Sequence, residues 1–419
     1  MIKRLIKRWI IIALKQFYYE ITIKGEDLVE QGPLLIVSNH PNNLLDPLII
    51  TYVYPQTLWY LAKSTAFKGV FVAKILRALR MLPVYRRQDV GEDTVKNEET
   101  FLAVTRELSR SESILIFPEG VSTGERRLSK IKTGAARIVL QAEALSDFCL
   151  GLKIQPVGIT YSNTGGFKTS VAVRIGKPLE VSDWQDRYER DPIAAVKELT
   201  ESIEREIRKV TVEVIRGNDD GLVEQIAWLY RSAGRVVDEH EGYQLIAKNL
   251  ELLQDQGVLR QKVFAEIASL RSVAERLGLA REQLVVRNFS ALDLLILGPV
   301  ILLGVLINYL PYKFLVVLAG RDSQKILTGT SRSFAIALFL FPVWYACWAL
   351  LAIKLGLALV FSVTLWLSLF FIGHITNKYW QSCKLLIYEV VKFAGLSSYT
   401  QLITQRDRLL IELDRLRVE

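Results

Sequence analysis

His40 and Asp46 stand with five residues between them, Pro41-Asn42-Asn43-Leu44-Leu45. An imidazole can take a proton from a hydroxyl near neutral pH. A carboxylate beside it holds the ring in one tautomer and stabilises the imidazolium that forms. The chain has only three histidines, so the placement of each is informative. His40 follows the apolar run Leu34-Leu35-Ile36-Val37, bounded by Pro33 and by Ser38-Asn39, which reads as a buried strand. The carboxyl end of a strand is where α/β folds place their chemistry. Positions this far apart fall on different faces of a helix, so the pair can meet only across a turn. Pro41-Asn42-Asn43 supplies it, through a fixed φ and asparagine side chains that bond to nearby amides.

Three further clusters follow: Leu82-Pro83-Val84-Tyr85-Arg86-Arg87, Phe117-Pro118-Glu119-Gly120-Val121-Ser122-Thr123, and Gln155-Pro156-Val157-Gly158. In this order, with the His…Asp pair, they resemble the glycerolipid acyltransferases (PlsC-like). The resemblance is nearest to the branch acting on glycerol-3-phosphate and dihydroxyacetone phosphate, which carries His-Pro-Asn and then Asp-Pro. It covers about residues 30 to 180. The interval from His40 to Asp46 is one residue longer than is usual in the family, and that branch carries the longer one.

The resemblance implies an acyl group moved from acyl-CoA or acyl carrier protein to a glycerol phosphate or, alternatively, a lysolipid acceptor such as lysophosphatidate. His40 is then the base and Asp46 its orienter, with the substrate hydroxyl as nucleophile. Arg86 takes the phosphate, since a guanidinium offers two parallel hydrogen bonds. Glu119 accepts from a glycerol hydroxyl or positions Arg86. Gly120 lets the backbone approach the substrate, Ser122 donates to it, and Lys132 extends the phosphate site. Pro156 and Val157 lie on the acyl-chain side, although the residues alone read equally as core. Lys130 and Arg87 read as solvated surface charges. His240 falls in a polar surface turn and His374 at a membrane interface, neither with metal-ligand spacing; no metal or cofactor is called for.

Without the downstream clusters, His40 and Asp46 would read equally well as simple strand and helix caps. A non-catalytic membrane scaffold would need none of His40, Asp46, Arg86 and Glu119. A lipid hydrolase would need a nucleophile, and no Gly-x-Ser-x-Gly elbow is present.

The elements that must position these residues read as an α/β domain over 25–215. Strands are expected at Leu34–Val37, Thr57–Leu61, Ile114–Phe117, Ile154–Tyr161 and Val171–Gly176, and helices at Ser64–Leu79, Glu98–Arg110 and Gly134–Ala144. Residues 1–24 form a basic amphipathic helix suited to a membrane interface, with an ordinary packed first helix as the competing reading. Residues 216–289 read as a helical extension, 290–374 as membrane segments, and 375–419 as an amphipathic helical tail that packs on the domain or pairs with a partner.

Phe334–Ile353 and Leu355–Ile372 are each long enough to cross a bilayer, with Lys354 at the far tip of their hairpin. Leu292–Gly320 is interrupted by Pro299, Asn308 and Pro311. Lys313, Arg321, Lys325 and Arg332 follow it, and short basic loops prefer the cytoplasm. With a cytoplasmic catalytic domain, this first block is therefore expected to enter and return as a bent, re-entrant hairpin.

The 419 residues carry 53 Lys+Arg against 44 Asp+Glu, a net charge of +9. The high apolar content gathers between Leu292 and Ile372, which favours anionic membrane lipid over nucleic acid as partner. Cys149, Cys347 and Cys383 form no CxxC pair, so neither a disulfide framework nor a structural zinc site is indicated.

Overall fold

The computed structural model describes residues 2–85, 94–164, 166–167, 169–214, 217–235, 237–252, 257–276, 290–319, 323–392 and 397–415. They fall into two compact units. The first comprises Met1–Leu14, Glu20–Thr164 and Ser170–Glu213, and the second Lys15–Tyr19, Gly165–Thr169 and Val214–Glu419.

The chain begins with α1 (Ile2–Phe17), followed by β1 (Glu20–Gly25), β2 (Leu34–Ser38), α2 (Leu45–Val53), β3 (Leu58–Lys63), a 3₁₀ turn (Ser64–Phe67), α3 (Val70–Ala78) and β4 (Met81–Val84). Next come α4 (Thr94–Leu108), β5 (Ser113–Ile116), α5 (Gly134–Ala144), β6 (Lys153–Tyr161), β7 (Ser170–Ile175), β8 (Leu179–Glu180), a second 3₁₀ turn (Val181–Trp184), α6 (Gln185–Arg190) and α7 (Pro192–Val210). This is the alternation of strand and helix of an α/β domain that the periodicity implies.

The sheet order is β1-β7-β6-β2-β5-β3-β4, with β8 beside β6; the β6–β7 and β6–β8 pairings are antiparallel and the rest parallel. The register sets Val37 beside Ile116 on one side and Ser38 beside Val157 on the other. The carboxyl ends of β2 and β5 therefore reach one edge, and β6 runs past that edge to Tyr161. Leu35, Val37, Ile114, Ile116 and Ile154 pack with Ala135, Ile138 and Val139 of α5 and with Leu199, Ile203 and Ile207 of α7. Each such buried aliphatic side chain contributes roughly 1.5–3 kcal/mol of transfer free energy. Gly158 is required where β6 meets the end of α7: a Cβ there would lie 1.7 Å from the carbonyl oxygen of Val210.

Two expectations are corrected in this unit. The N-terminal helix ends at Phe17, and the alternating Glu20-Ile21-Thr22-Ile23 becomes strand β1 along β7, because its period is two. The helix expected over Ser64–Leu79 is broken at Gly69, whose φ of +91° ends the 3₁₀ turn before α3 begins. Within the unit, the Nζ of Lys7 donates to the carbonyls of Tyr54, Pro55 and Gln56 at 2.5, 2.9 and 3.3 Å, just past α2. A cation there complements the negative end of the helix dipole. Burial holds the Lys7 ammonium below its usual pKa.

The second unit contains α8 (Gly217–Ser232), α9 (Glu241–Leu252), α10 (Gly257–Arg276), α11 (Ala291–Ala319), α12 (Ser323–Lys354), α13 (Leu359–Lys392) and α14 (Ser397–Arg415). Three of these helices are long and apolar enough to cross a membrane, over Leu292–Val317, Ser331–Lys354 and Leu359–Trp380. In the first block α11 stays helical through Pro299 and Pro311. Neighbouring helices and polar side chains let proline persist in such helices. His240, expected in a surface turn, is buried, with its N–H donated to Asp238 at 2.8 Å. The tail packs on the extension: the hydroxyl of Tyr230 donates to Asp414 at 3.0 Å, Arg235 pairs with Asp414 at 2.8 Å, and Arg406 donates to the carbonyl of Ser232 at 2.8 Å.

Candidate active site

His40 leaves the end of β2 and Asp46 enters the first turn of α2, so strand and helix meet head-on across the Pro41–Leu44 turn. The N–H groups of Leu45 and Asp46 donate to the carbonyl of Asn42 at 2.9 and 3.2 Å, which closes the turn. Nδ1 of His40 lies 2.7 Å from Oδ2 of Asp46. With Nδ1 engaged, Nε2 is the ring nitrogen left to act as base.

Asp46 is fully buried and surrounded by donors. Oδ2 also accepts the N–H of Asn42 at 2.6 Å, and Oδ1 accepts the hydroxyl of the buried Tyr161 at 2.6 Å. A helix N-terminus with three converging donors suits a carboxylate anion. Above it, the imidazole stacks on Phe117, with ring centroids 4.0 Å apart and planes at 11°. The side chain of His40 keeps 15% exposure.

Asn39 joins this pair to β6 with two hydrogen bonds: Nδ2 donates to the carbonyl of Ile159 at 2.9 Å, and Oδ1 accepts its N–H at 2.8 Å. The side chain thus imitates one more rung of the β2–β6 ladder. Asn42 Nδ2 donates to the carbonyl of Thr164 at 2.5 Å, beyond the end of the same strand.

Glu119 is turned inward. It is 4% exposed, with Oε1 accepting the N–H of His40 at 2.8 Å and Oε2 the N–H of Ser129 at 2.9 Å. The family resemblance gives it a glycerol hydroxyl to accept or Arg86 to position; in the structure its two oxygens each hold a backbone amide, so it also braces the turn that carries His40. Glu213 acts alongside it, accepting the N–H of Leu128 at 3.1 Å. Burial raises the pKa of Glu213, with Arg208 opposing and Glu119 adding a smaller upward push.

Ser122 Oγ accepts the N–H of Asn43 at 3.1 Å, tying the second cluster to the turn while its own proton remains available to donate. Lys132 is exposed and lies over Gly120, its Nζ 2.7 Å from where a Cβ would stand. Gly120 has φ +70°, so both conformation and space call for glycine. Arg86 lies outside the described residues. Pro156 and Val157 are buried in β6 opposite Val37 and Ser38. Among the described residues no three His, Cys, Asp or Glu side chains gather where they could hold a metal ion.

Phe117, Tyr161 and Asn39 thus join the site without having been assigned parts in it from sequence. Asn39 and Phe117 sit inside the recognised clusters, and that adjacency was their only signal. Tyr161 is far away along the chain and had none.

Residues 20–160 match the family described as Acyltransferase. The crystal structure of the 1-acyl-sn-glycerophosphate (LPA) acyltransferase PlsC from Thermotoga maritima is similar to this chain over 50% of its length and 78% of that chain, with 18% identity and a TM-score of 0.38. A comparison with curated proteins finds no match. The segment from 20 to 160, which holds His40, Asp46 and Glu119, is an acyltransferase domain.

Proposed function

We propose that this protein is a membrane-bound glycerolipid acyltransferase that esterifies the sn-1 hydroxyl of glycerol-3-phosphate or dihydroxyacetone phosphate from an acyl thioester. The observation that carries the reading is the His40–Asp46 contact at 2.7 Å inside the matched domain. Nε2 of His40 takes the proton of the acceptor hydroxyl as its oxygen attacks the thioester carbonyl. The tetrahedral adduct expels the thiolate, which recovers the proton from the imidazolium. The acceptor supplies the nucleophile, so no acyl-enzyme forms. Lys132 beside Gly120 offers a cation to the acceptor phosphate, and Arg86 is the second cation of that subsite. The longer His40–Asp46 interval favours glycerol phosphate over lysolipid, through its likeness to the branch with that spacing.

Purified protein given labelled acyl-CoA or acyl carrier protein with glycerol-3-phosphate, dihydroxyacetone phosphate or lysophosphatidate tests the reading directly. Product from one of the first two is expected. Product from lysophosphatidate alone would move the acceptor to a lysolipid, and product from none would overturn the assignment. His40→Ala should abolish turnover, while Arg86→Ala and Lys132→Ala should raise acceptor KM.

The same reading places the acyltransferase domain at the cytoplasmic face of a bacterial inner membrane or the endoplasmic reticulum, with α1 resting in the interface. Leu5, Trp9 and Ile12 are exposed on that helix among Lys3, Arg4 and Arg8, as membrane contact requires. Cys149 is exposed and reports on this side. With Cys347 and Cys383 replaced by serine, an impermeant maleimide should reach Cys149 only from the cytoplasmic side, and labelling from the opposite side would reverse the orientation.

A further inference from the structure

Length and composition make α11, α12 and α13 equal candidates to cross a bilayer, yet their packing treats them differently. The helices α12 and α13 form a hairpin whose tip is the short turn at Leu355–Ala358, where Gly356 takes φ +89°. Its legs meet through the Trp366 indole, near the carbonyl of Pro342, and through the rings of Tyr345 and Phe370 at 4.9 Å. Its open end is marked by Ser333 and Phe334 on one leg and by Tyr379, Trp380 and Cys383 on the other.

A third crossing helix would run from the open end to the tip. Both ends of α11 instead lie at the open end. Near its start, Leu294, Leu297 and Ile301 cluster with Tyr379, Trp380 and Cys383. Near its finish, the carbonyl of Leu315 accepts the hydroxyl of Ser333 at 3.2 Å. Only the middle goes deeper, where Asn308 Oδ1 accepts the hydroxyl of Tyr345 at 2.8 Å and Gly304 presses on Thr376. Pro299 and Pro311 flank that middle, which gives a place for the helix to bend.

The tail supplies an independent constraint of parity. Three crossings would put α14 on the opposite side of the bilayer from α8–α10. Yet Asp414 of α14 pairs with Tyr230 and Arg235, and Arg406 reaches the carbonyl of Ser232. The link between α10 and α11 carries Arg281, Glu282 and Arg287 within residues 277–289, too short and too charged to cross. An even number of crossings is required.

We infer that α11 is a re-entrant, interfacial helix and that the chain crosses the bilayer only twice, by the α12–α13 hairpin. Its lipid-facing surface is the row Leu295, Leu302, Leu306, Tyr309 and Leu310, each more than half exposed in the protein. The surface is apolar and ends in Lys313, as expected of a helix half-sunk beneath headgroups.

Single cysteines in a background with Cys149, Cys347 and Cys383 changed to serine decide the matter. Glu251→Cys, Gln401→Cys and Lys354→Cys proteins, placed in sealed vesicles of known sense, would be exposed to an impermeant maleimide, with detergent-opened vesicles measuring total labelling. We expect positions 251 and 401 to label from the same side and position 354 only from the other. Labelling of 251 and 354 from one side with 401 opposite would establish three crossings and overturn the inference. So would labelling of all three from one side. The outcome is independent of enzymatic activity and of the acceptor.

Discussion

The carboxylate of Glu119 accepts the backbone N–H of His40 at 2.8 Å, so two residues of separate sequence clusters are joined through the main chain of His40. Glu119→Gln keeps the shape but turns an amide N–H₂ toward the N–H of either His40 or Ser129. An unpaired buried donor costs about 1–3 kcal/mol. We expect a lower unfolding temperature and a kcat reduced on the order of 100-fold as the base shifts, with little change in acceptor KM. Kinetics showing intact kcat and a raised acceptor KM would return Glu119 to substrate binding.

Tyr161→Phe removes one donor from Asp46 and leaves the fold's packing in place. A hydrogen bond to a charged group is worth roughly 1.5–3 kcal/mol, so kcat should fall by roughly 10- to 150-fold. A kcat unchanged by the substitution would reduce Tyr161 to a packing residue.

Gly120→Ala forces a side chain into φ +70° and into contact with Lys132 Nζ. The backbone strain is about 1–2 kcal/mol. Gly151→Ala is the control, since φ there is +65° and nothing lies within 4 Å. Both variants should lose similar stability, but only Gly120→Ala should raise acceptor KM, by roughly fivefold for each kcal/mol of lost phosphate contact. Equal KM values would remove Lys132 from the acceptor site.

Glu213 gives a pH signature of stability. Burial raises its folded-state pKa above the unfolded value, so across that window the unfolded chain binds fewer protons and stability falls as pH rises. Glu213→Gln carries no such titration. The melting temperature of the native protein, measured relative to the variant, should therefore decline as pH rises above the ordinary carboxyl range. A constant difference across that range would contradict the assignment.

Much of this arrangement was legible in the residues because the short-range signals agree. The run Leu34–Val37 is apolar and bounded on both sides, and it is a central strand with His40 just past its end. What escaped was set by long-range geometry. The strand β1 was hidden because its alternation follows directly on a basic amphipathic helix, and its partner β7 lies far downstream. The sequence shows Glu119 as an acid beside a glycine, but nothing local tells whether it turns outward to a ligand or inward to an amide. Tyr161 reads as an ordinary aromatic at a strand end until the sheet order places β6 beside β2. The proline interruptions in 292–320 were read as breaks, and the helix absorbs both.

Strand β6 holds the segment that carries His40 through Ile159 and Asn39, and the carboxylate of Asp46 through Tyr161. Thermal displacement of that strand is therefore common to both groups, which travel together while their separation is conserved.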